Sequence, residues 1–284
     1  MEKVINSLKK YNLGFNNCEA GIGFVNSLPD EHRRFIELYL PPMAEINELV
    51  DSEGYGPEYQ KRIQNIIRKA WHGRENRSFS NQHEAAVDCC IKYLREMHSK
   101  GNDLAELTFD SLIELQNAEY RNALRRWKLL SNEELEDILY PIGVCDIQII
   151  LSATIPEIGR DGILDVSKSL GWALRKADTL SDFYSDMRRG YINIPKENIG
   201  VVKGIKIQED KVTEVSSDLE IELPYLENEL KQTLLEFEES SITIKRLSSR
   251  LPENALKRLQ LAEEWAGYFL LEAKKTVNKA NACK

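Results

Sequence analysis

Cysteine and histidine are scarce in this sequence and are not spaced as metal ligands. Among its 284 residues there are 5 cysteines and 4 histidines. No CxxC pair occurs, and the adjacent Cys89 and Cys90 have poor geometry for a zinc site or a disulfide framework. The histidines are scattered along the chain (His32, His72, His83, His98). These absences argue against a zinc or disulfide-rich protein and fit a reducing, cytoplasmic environment.

Long apolar runs, excess positive charge and nucleotide-binding motifs are also missing. Nowhere do 18 uncharged apolar residues occur together, so we expect no membrane span, although peripheral membrane contact remains open. The net charge of -8 argues against a nucleic-acid partner. Neither a G-x-S-x-G, a Walker A nor a Rossmann motif is present. We therefore expect a soluble cytoplasmic protein, either a monomer or a homodimer.

Apolar residues recur at helical spacing along most of the chain. The clearest case is 166–187, where apolar residues follow in steps of four and three. Similar faces occur over 112–127 and 256–273, and glycine and proline residues separate them. Only 199–215 does not have a helical pattern, and it predicts a small hairpin or an irregular loop. Length and composition predict a single domain over residues 1–284, and the helical periodicity predicts that this domain is all-α.

Three aspartates form an acidic stripe on the clearest helix. Asp178, Asp182 and Asp186 recur every four residues, so their carboxylates lie within about 80° of one another around the helix. The stripe lies beside the apolar face, where like charges are costly unless a cation binds them. Hard oxygen ligands suit Mg²⁺. The alternative is a solvated acidic ridge whose salt-bridge partners are nearby arginines (Arg175, Arg188, Arg189).

The sequence around the stripe resembles a known family. Residues 174–195 are similar to the second aspartate-rich region of the squalene and phytoene synthases. Alignment on the Arg-Arg-Gly that follows places Asp182 and Asp186 on the family's two metal-binding aspartates, with the same D-x-x-x-D spacing. Asp178 then falls on the family's asparagine and Arg175 on its glutamine. This is the most specific motif in the chain.

Upstream, residues 23–51 resemble the family's opening helices in altered form. Asp51 matches the last aspartate of the first aspartate-rich motif, Glu48 the middle one and Asn47 the first. Asn47 keeps an oxygen that can bind metal but carries no charge. Pro41 and Pro42 are expected to kink a helix that is unbroken in the family. The alternative is that Glu48 and Asp51 belong to an ordinary solvated helix end.

Between the two motifs, residues 135–153 resemble the family helix that carries a conserved tyrosine. Tyr140 matches this tyrosine, which lies near the diphosphate in known relatives, although a core role is equally compatible. Cys145 and Asp146 stand where the family has Ala-Gly. A carboxyl group is therefore expected where relatives have no side chain, which indicates either a specific substrate or lost catalysis.

The resemblance implies an antiparallel helical bundle of the isoprenoid synthase type with a central pocket. It implies Mg²⁺ as cofactor and a prenyl diphosphate of the farnesyl or geranylgeranyl class as substrate. The implied metal ligands are Asp178, Asp182, Asp186, Asn47, Glu48 and Asp51, and the implied diphosphate-binding or catalytic residues are Arg175, Arg188, Arg189 and Tyr140. Head-to-head condensation is the expected reaction. The alternatives are a cyclase or prenyl diphosphate lyase, a noncatalytic prenyl-diphosphate-binding protein, or a helical adaptor.

Overall fold

Long helices joined by short connections make up most of the structure, a computed structural model that describes residues 19–51, 55–75 and 78–282. The first half contains α1 (Glu19–Ser27), α2 (Asp30–Asp51), α3 (Pro57–Trp71), α4 (Gln82–Ser99) and α5 (Leu104–Leu124). The second half contains α6 (Asn132–Thr154), α7 (Gly159–Ser181), α8 (Phe183–Arg189), α9 (Leu223–Ser248) and α10 (Glu253–Ala282). Short 3₁₀ turns cover Pro156–Ile158 and Lys196–Val201. The predicted all-α class is confirmed.

Local sequence signals explain where several helices begin. Helix α6 begins at a capping box, in which the Ser131 hydroxyl accepts from the Glu134 amide at 3.2 Å and the Glu134 carboxylate accepts from the Ser131 amide at 2.8 Å. Helix α2 starts at Asp30, as an acidic residue in the first turn favours. It continues as one helix through Pro41 and Pro42, so the prolines do not end it.

The helix predicted over 166–187 is longer at its start and is divided near its end. Helix α7 begins at Gly159, and Asp182 separates it from α8. The Ser181 carbonyl accepts a hydrogen bond from Thr276 of α10 at 3.1 Å, and the Ser181 hydroxyl donates to the Asp178 carbonyl at 2.9 Å. Such side-chain bonds compete with the helical ladder and bend it.

Helix α7 lies at the centre of the bundle, in contact with α6, α9 and α10, while α6 packs between α5 and α7. The buried apolar side chains of these helices form a shared core. In the described part of the chain, only α6 is long and apolar enough to cross a membrane. Its apolar stretch is 72% buried inside the bundle, which is typical of a core helix.

A two-stranded antiparallel hairpin forms in the region where the sequence predicts a small hairpin or an irregular loop. Strand β1 (Val202–Gln208) pairs with β2 (Lys211–Ile221). Trp127 joins the hairpin to the end of α8, because its amide donates to the Gly190 carbonyl at 2.7 Å and its carbonyl accepts from Val212 at 2.8 Å. Gly190 has a φ of 90°, and a Cβ there would lie 2.5 Å from the Trp127 ring. Only glycine fits that position without strain.

Candidate active site

A cavity of about 310 Å³ lies between α2, α5, α6, α7 and α10, and is called the central cavity below. Its apolar wall is formed by Tyr39, Leu40, Met43, Ala44, Leu115, Ile142, Ile150, Leu174, Trp265 and Phe269. Its polar wall is formed by Asn47, Gln116, Glu119, Asp146, Arg175 and Asp178. The cavity therefore has an apolar wall and a charged wall, as expected for a site that binds an amphipathic ligand.

Two glycines bring the polar residues of α6 and α7 together. A Cβ added to Gly171 would lie 2.5 Å from the Gly143 carbonyl oxygen and 2.7 Å from the Val144 Cα. A Cβ added to Gly143 would lie 2.6 Å from the Arg175 Cβ. Because neither glycine has a side chain, the two helix backbones cross in contact. This close crossing places Asp146 and Arg175 in the wall of the same cavity.

Arg175 is the cation of the central cavity. Its Nη1 donates to the Asp178 carboxylate at 2.9 Å, and its side chain is 18% exposed. Burial disfavours its charge, but neighbouring carboxylates, chiefly Asp178, raise its pKa above the ordinary value. Its Nε and both amide atoms of Gln116 are buried without a hydrogen-bond partner among the described residues. These polar atoms are available to a ligand, since buried polar groups normally have partners.

The three predicted aspartates lie close together, and we call them the aspartate row. The helical hydrogen bonds continue through them, from the Asp182 amide to the Asp178 carbonyl at 3.0 Å and from the Asp186 amide to the Asp182 carbonyl at 2.9 Å. Burial, followed by the charges of the other two aspartates, raises the pKa of Asp186 to about 7, against the opposing effect of Arg175. Desolvation is also the main cause that raises the pKa values of Asp178 and Asp182, although Asp182 is exposed at the surface. A bound cation would relieve this repulsion. Of the three aspartates, only Asp178 lines the central cavity.

Arg125 and Asn193 hold one member of the aspartate row, and the sequence did not reveal either. The Asn193 amide donates to the Asp186 carboxylate at 2.8 Å, and its oxygen accepts from Arg125. Arg125 is 2% exposed, and burial followed by the charge of Arg175 lowers its pKa to about 10. Arg125 adjoins Arg126 at a helix end, so its sequence position alone does not distinguish it.

Two further polar residues of the cavity had a detectable sequence signal. Gln116 and Glu119 follow Leu112 by four and seven residues on α5, so all three lie on one helix face. A buried polar residue on an otherwise apolar helix face is unusual, and it indicates a polar site inside the bundle. Gln116 is 1% exposed. Asp146 carries the same signal on α6, where burial and the charge of Glu119 raise its pKa to about 7.

The first predicted motif reaches the central cavity through Asn47. Asn47 lines the cavity together with Asp178, so α2 and α7 face each other across it. Its side-chain oxygen accepts from the Gln60 amide at 3.3 Å. Glu48 and Asp51 belong to α2 by their backbone, but their side chains lie outside the described part of the structure. Their predicted role as metal ligands stays a prediction.

The structure does not bring all predicted residues to the cavity. Tyr140 is 38% exposed, and its ring lies edge-on to Trp172 with centroids 5.5 Å apart. Tyr140 lies on a different face of α6, rotated by about 120° around the helix axis from Asp146 at roughly 100° per residue. Arg188 and Arg189 are both exposed, and Arg189 only partly opposes the rise that desolvation causes in the pKa of Asp182. Of the three predicted arginines, only Arg175 lines the central cavity.

Comparisons with known proteins identify the fold. No protein-family model matches the sequence, and no curated protein matches it. The structure is similar to the crystal structure of squalene synthase HpnC from Alicyclobacillus acidocaldarius, with a TM-score of 0.62. The similarity covers 98% of this chain and 97% of that chain, at 14% sequence identity. The chain has a squalene/phytoene synthase-like fold. The predicted fold is thereby confirmed.

This fold implies Mg²⁺, and the donor set of the chain fits it. Among the described residues, no three histidine, cysteine, aspartate or glutamate side chains lie close enough to enclose a metal ion. Mg²⁺ does not require such a cage, because it is commonly held by one or two carboxylates, several waters and the phosphates of the substrate. The aspartate row offers carboxylates whose pKa values are raised chiefly by burial, and in Asp182 and Asp186 also by neighbouring carboxylates, so a cation nearby would stabilise their charged forms. One or two carboxylates of the row (Asp178, Asp182, Asp186) would hold the ion, and water and substrate phosphates would complete its coordination.

Proposed function

We propose that the protein is a magnesium-dependent enzyme that acts on an allylic prenyl diphosphate and transfers the prenyl group, as squalene and phytoene synthases do. The observation that carries this proposal is the division of the central cavity into a charged wall and an apolar wall. A prenyl diphosphate has the same division, with a charged head and a long apolar chain. The fold shared with squalene synthase HpnC supports the proposal.

The charged wall would bind the diphosphate. Arg175 and Gln116 line this wall, and the Arg175 Nε and the Gln116 amide have no hydrogen-bond partner among the described residues. Mg²⁺ bound beside the aspartate row would neutralise charge on the departing diphosphate. Arg125 and Asn193 fix the Asp186 carboxylate through a hydrogen-bonded chain, so the row is positioned before the substrate binds.

The apolar wall would hold the prenyl chain and the carbocation formed when the carbon–oxygen bond breaks. Trp265 and Phe269 lie edge-on, with ring centroids 5.7 Å apart. Aromatic rings stabilise a nearby cation through their electron-rich faces. Leu115, Leu174 and Ile150 exclude water, which would otherwise capture the cation.

Asp146 favours a second candidate reaction on the same substrate, in which a prenyl diphosphate lyase or cyclase ends by losing a proton. With a pKa of about 7 it is partly ionised near neutral pH. Its carboxylate lines the cavity in which the cation would form. Transfer of a proton from the carbon next to the cation to this carboxylate would leave a new carbon–carbon double bond, with diphosphate as the other product. Product mass separates this reaction from condensation.

Turnover of prenyl diphosphates tests the proposal. The protein is incubated with farnesyl or geranylgeranyl diphosphate and Mg²⁺, pyrophosphate release is measured, and the products are analysed by mass spectrometry. We expect release that chelation abolishes, and a loss of roughly 100-fold or more in Asp182→Ala and Asp186→Ala, since each removes charge that the transition state needs. Removing one of several clustered like charges should leave the fold intact.

Asp165→Ala is the matched control, because Asp165 is an exposed aspartate on α7 outside the cavity. It should retain full activity. Release that survives the double substitution of Asp182 and Asp186 would eliminate the proposed site. Magnesium-dependent binding of the substrate without any release would instead identify a noncatalytic prenyl-diphosphate-binding protein.

A further inference from the structure

A second cavity of about 270 Å³ lies on the opposite side of α7, bounded by α6, α8 and α9. It shares no lining residue with the central cavity. The separation follows from the helix period, because Arg175 and Asp178 face the central cavity while Lys176 and Thr179 face the second one. The proposed prenyl-transfer reaction uses none of the α7 residues on this side.

Aromatic side chains form part of the second cavity's wall. Trp172, Phe183 and Tyr225 come from three different helices. The Lys176 ammonium nitrogen lies 4.8 Å from the centre of the Trp172 ring. Lys176 therefore already makes a cation–π contact with Trp172, and the rest of the aromatic wall offers apolar surface to a ligand.

The charged groups of the second cavity are mainly acidic. Glu136 and Glu229 line it, and Lys176, its one lining cation among the described residues, is already paired with Glu236 at 3.3 Å. Glu229 makes no side-chain hydrogen bond or ion pair with any residue that the structure describes. Burial raises its pKa, Lys176 opposes this rise, and Glu136 adds to it. A partly buried carboxylate without a partner is costly, and a ligand cation would offset that cost.

We propose that the second cavity binds an organic cation, namely a protonated amine attached to an apolar or aromatic body. The ammonium group would pair with Glu229, and the body would pack against Trp172 and Phe183. The Thr179 hydroxyl, which is buried without a hydrogen-bond partner among the described residues, provides a further polar contact in this wall. An anionic ligand is disfavoured, because two carboxylates line the space and no lining cation is free.

Benzylamine, its neutral analogue benzyl alcohol and the anion benzoate are the probes. Binding to the full chain is measured by titration calorimetry and by tryptophan fluorescence, without prenyl diphosphate, so the outcome is independent of turnover. We expect saturable binding of benzylamine, weaker binding of benzyl alcohol and none of benzoate. Glu229→Gln keeps the side-chain shape but removes the charge, and it should weaken benzylamine binding by about tenfold or more.

Glu227→Gln is the matched control, because Glu227 is an exposed glutamate on the same helix and does not line the cavity. It should bind benzylamine as the unmodified chain does. A second variant, Trp172→Leu, should weaken benzylamine binding and leave less tryptophan fluorescence change on titration. Equal binding of benzylamine and benzyl alcohol would overturn the proposal. Unchanged benzylamine affinity in both Glu229→Gln and Trp172→Leu, or no saturable binding at all, would overturn it too.

Discussion

Asp146 places a carboxyl group inside the helical bundle, and burying its charge has a measurable cost. Its pKa is about 7 in the folded protein, compared with an ordinary value of 3.8. Between pH 3.8 and about pH 7, the Asp146 carboxyl keeps its proton in the folded chain and loses it in the unfolded chain. Stability therefore falls as pH rises from about 4 to about 7. Asp186 contributes in the same direction, since its pKa is also about 7.

Asp146→Asn should remove the Asp146 part of this pH dependence. At pH 8 we expect the variant to be more stable than the unmodified chain by roughly 1–2 kcal/mol, or a few degrees in Tm, after allowance for partial solvent screening. At pH 4 the two should melt alike, because both side chains are then uncharged. Asp137→Asn, an exposed position on the same helix, is the control. Equal gains at both pH values would show that the charge of Asp146 is not the cause. Thermal melts followed by circular dichroism at the two pH values give the comparison.

The sequence predicted individual residues unevenly. The aspartate row was predicted because three residues of one helix lie at a fixed local spacing, and the structure keeps them together. Arg125 could not be predicted, because its bond to Asn193 joins positions 68 residues apart in the chain. Tyr140 was assigned by similarity, yet its side chain lies against Trp172 and away from the cavity. The spacing of residues along one helix therefore predicts which of them lie together, whereas similarity to a family does not predict where a single side chain points.

Among the helices, the crossing of α6 and α7 is the contact on which the site depends most. Gly171→Ala would place a methyl group 2.5 Å from the Gly143 carbonyl oxygen. Because this oxygen belongs to the backbone of α6, it cannot move aside as a flexible side chain could. We expect a loss of roughly 2–4 kcal/mol of stability, measured by guanidinium unfolding, together with reduced turnover because Asp146 and Arg175 would shift. Gly267→Ala is the matched control, since a methyl group there meets nothing within 4 Å.

In that control, replacing a helical glycine should be neutral or stabilising, by roughly 0.5–1 kcal/mol. The difference between the two variants therefore isolates the helix crossing from helix propensity. If Gly171→Ala unfolded at the same guanidinium concentration as Gly267→Ala, the close crossing would not contribute to stability.

Helix boundaries follow from the sequence where local chemistry sets them. The Ser-x-x-Glu pattern of Ser131 and Glu134 forms the capping box that starts α6. The division at Asp182 was missed, because part of its cause is a hydrogen bond from Thr276 of α10, which is 95 residues away in the chain. Pro41 and Pro42 do not end α2, which continues through both, and the kink expected at these prolines stays a prediction. Contacts between distant parts of the chain therefore influence where a helix is interrupted, and helix propensity alone does not predict this.

At the scale of the whole molecule, the fold class followed from helical periodicity and from one specific motif. The central cavity did not follow, because five helices from both halves of the chain contribute to it. Leu115, Ile142 and Trp265 had the same apolar signal as residues that fill the core. Only their arrangement in space separates a cavity wall from a core. The second cavity was likewise beyond the sequence, since Trp172, Glu229 and Asn193 are far apart along the chain.

Ligand-linked stability tests the central cavity without requiring turnover. A ligand that binds only the folded chain stabilises it by RT ln(1 + [L]/Kd), about 2.7 kcal/mol at 100 times Kd. We expect Mg²⁺ and pyrophosphate together to raise Tm by several degrees and by more than the sum of their separate effects, because each supplies the other's counter-charge. Arg175→Gln should reduce the pyrophosphate-dependent part, whereas Arg160→Gln, at an exposed position on the same helix, should not. A Tm that neither Mg²⁺ nor pyrophosphate changes, singly or together, would count against a metal-diphosphate site at the aspartate row.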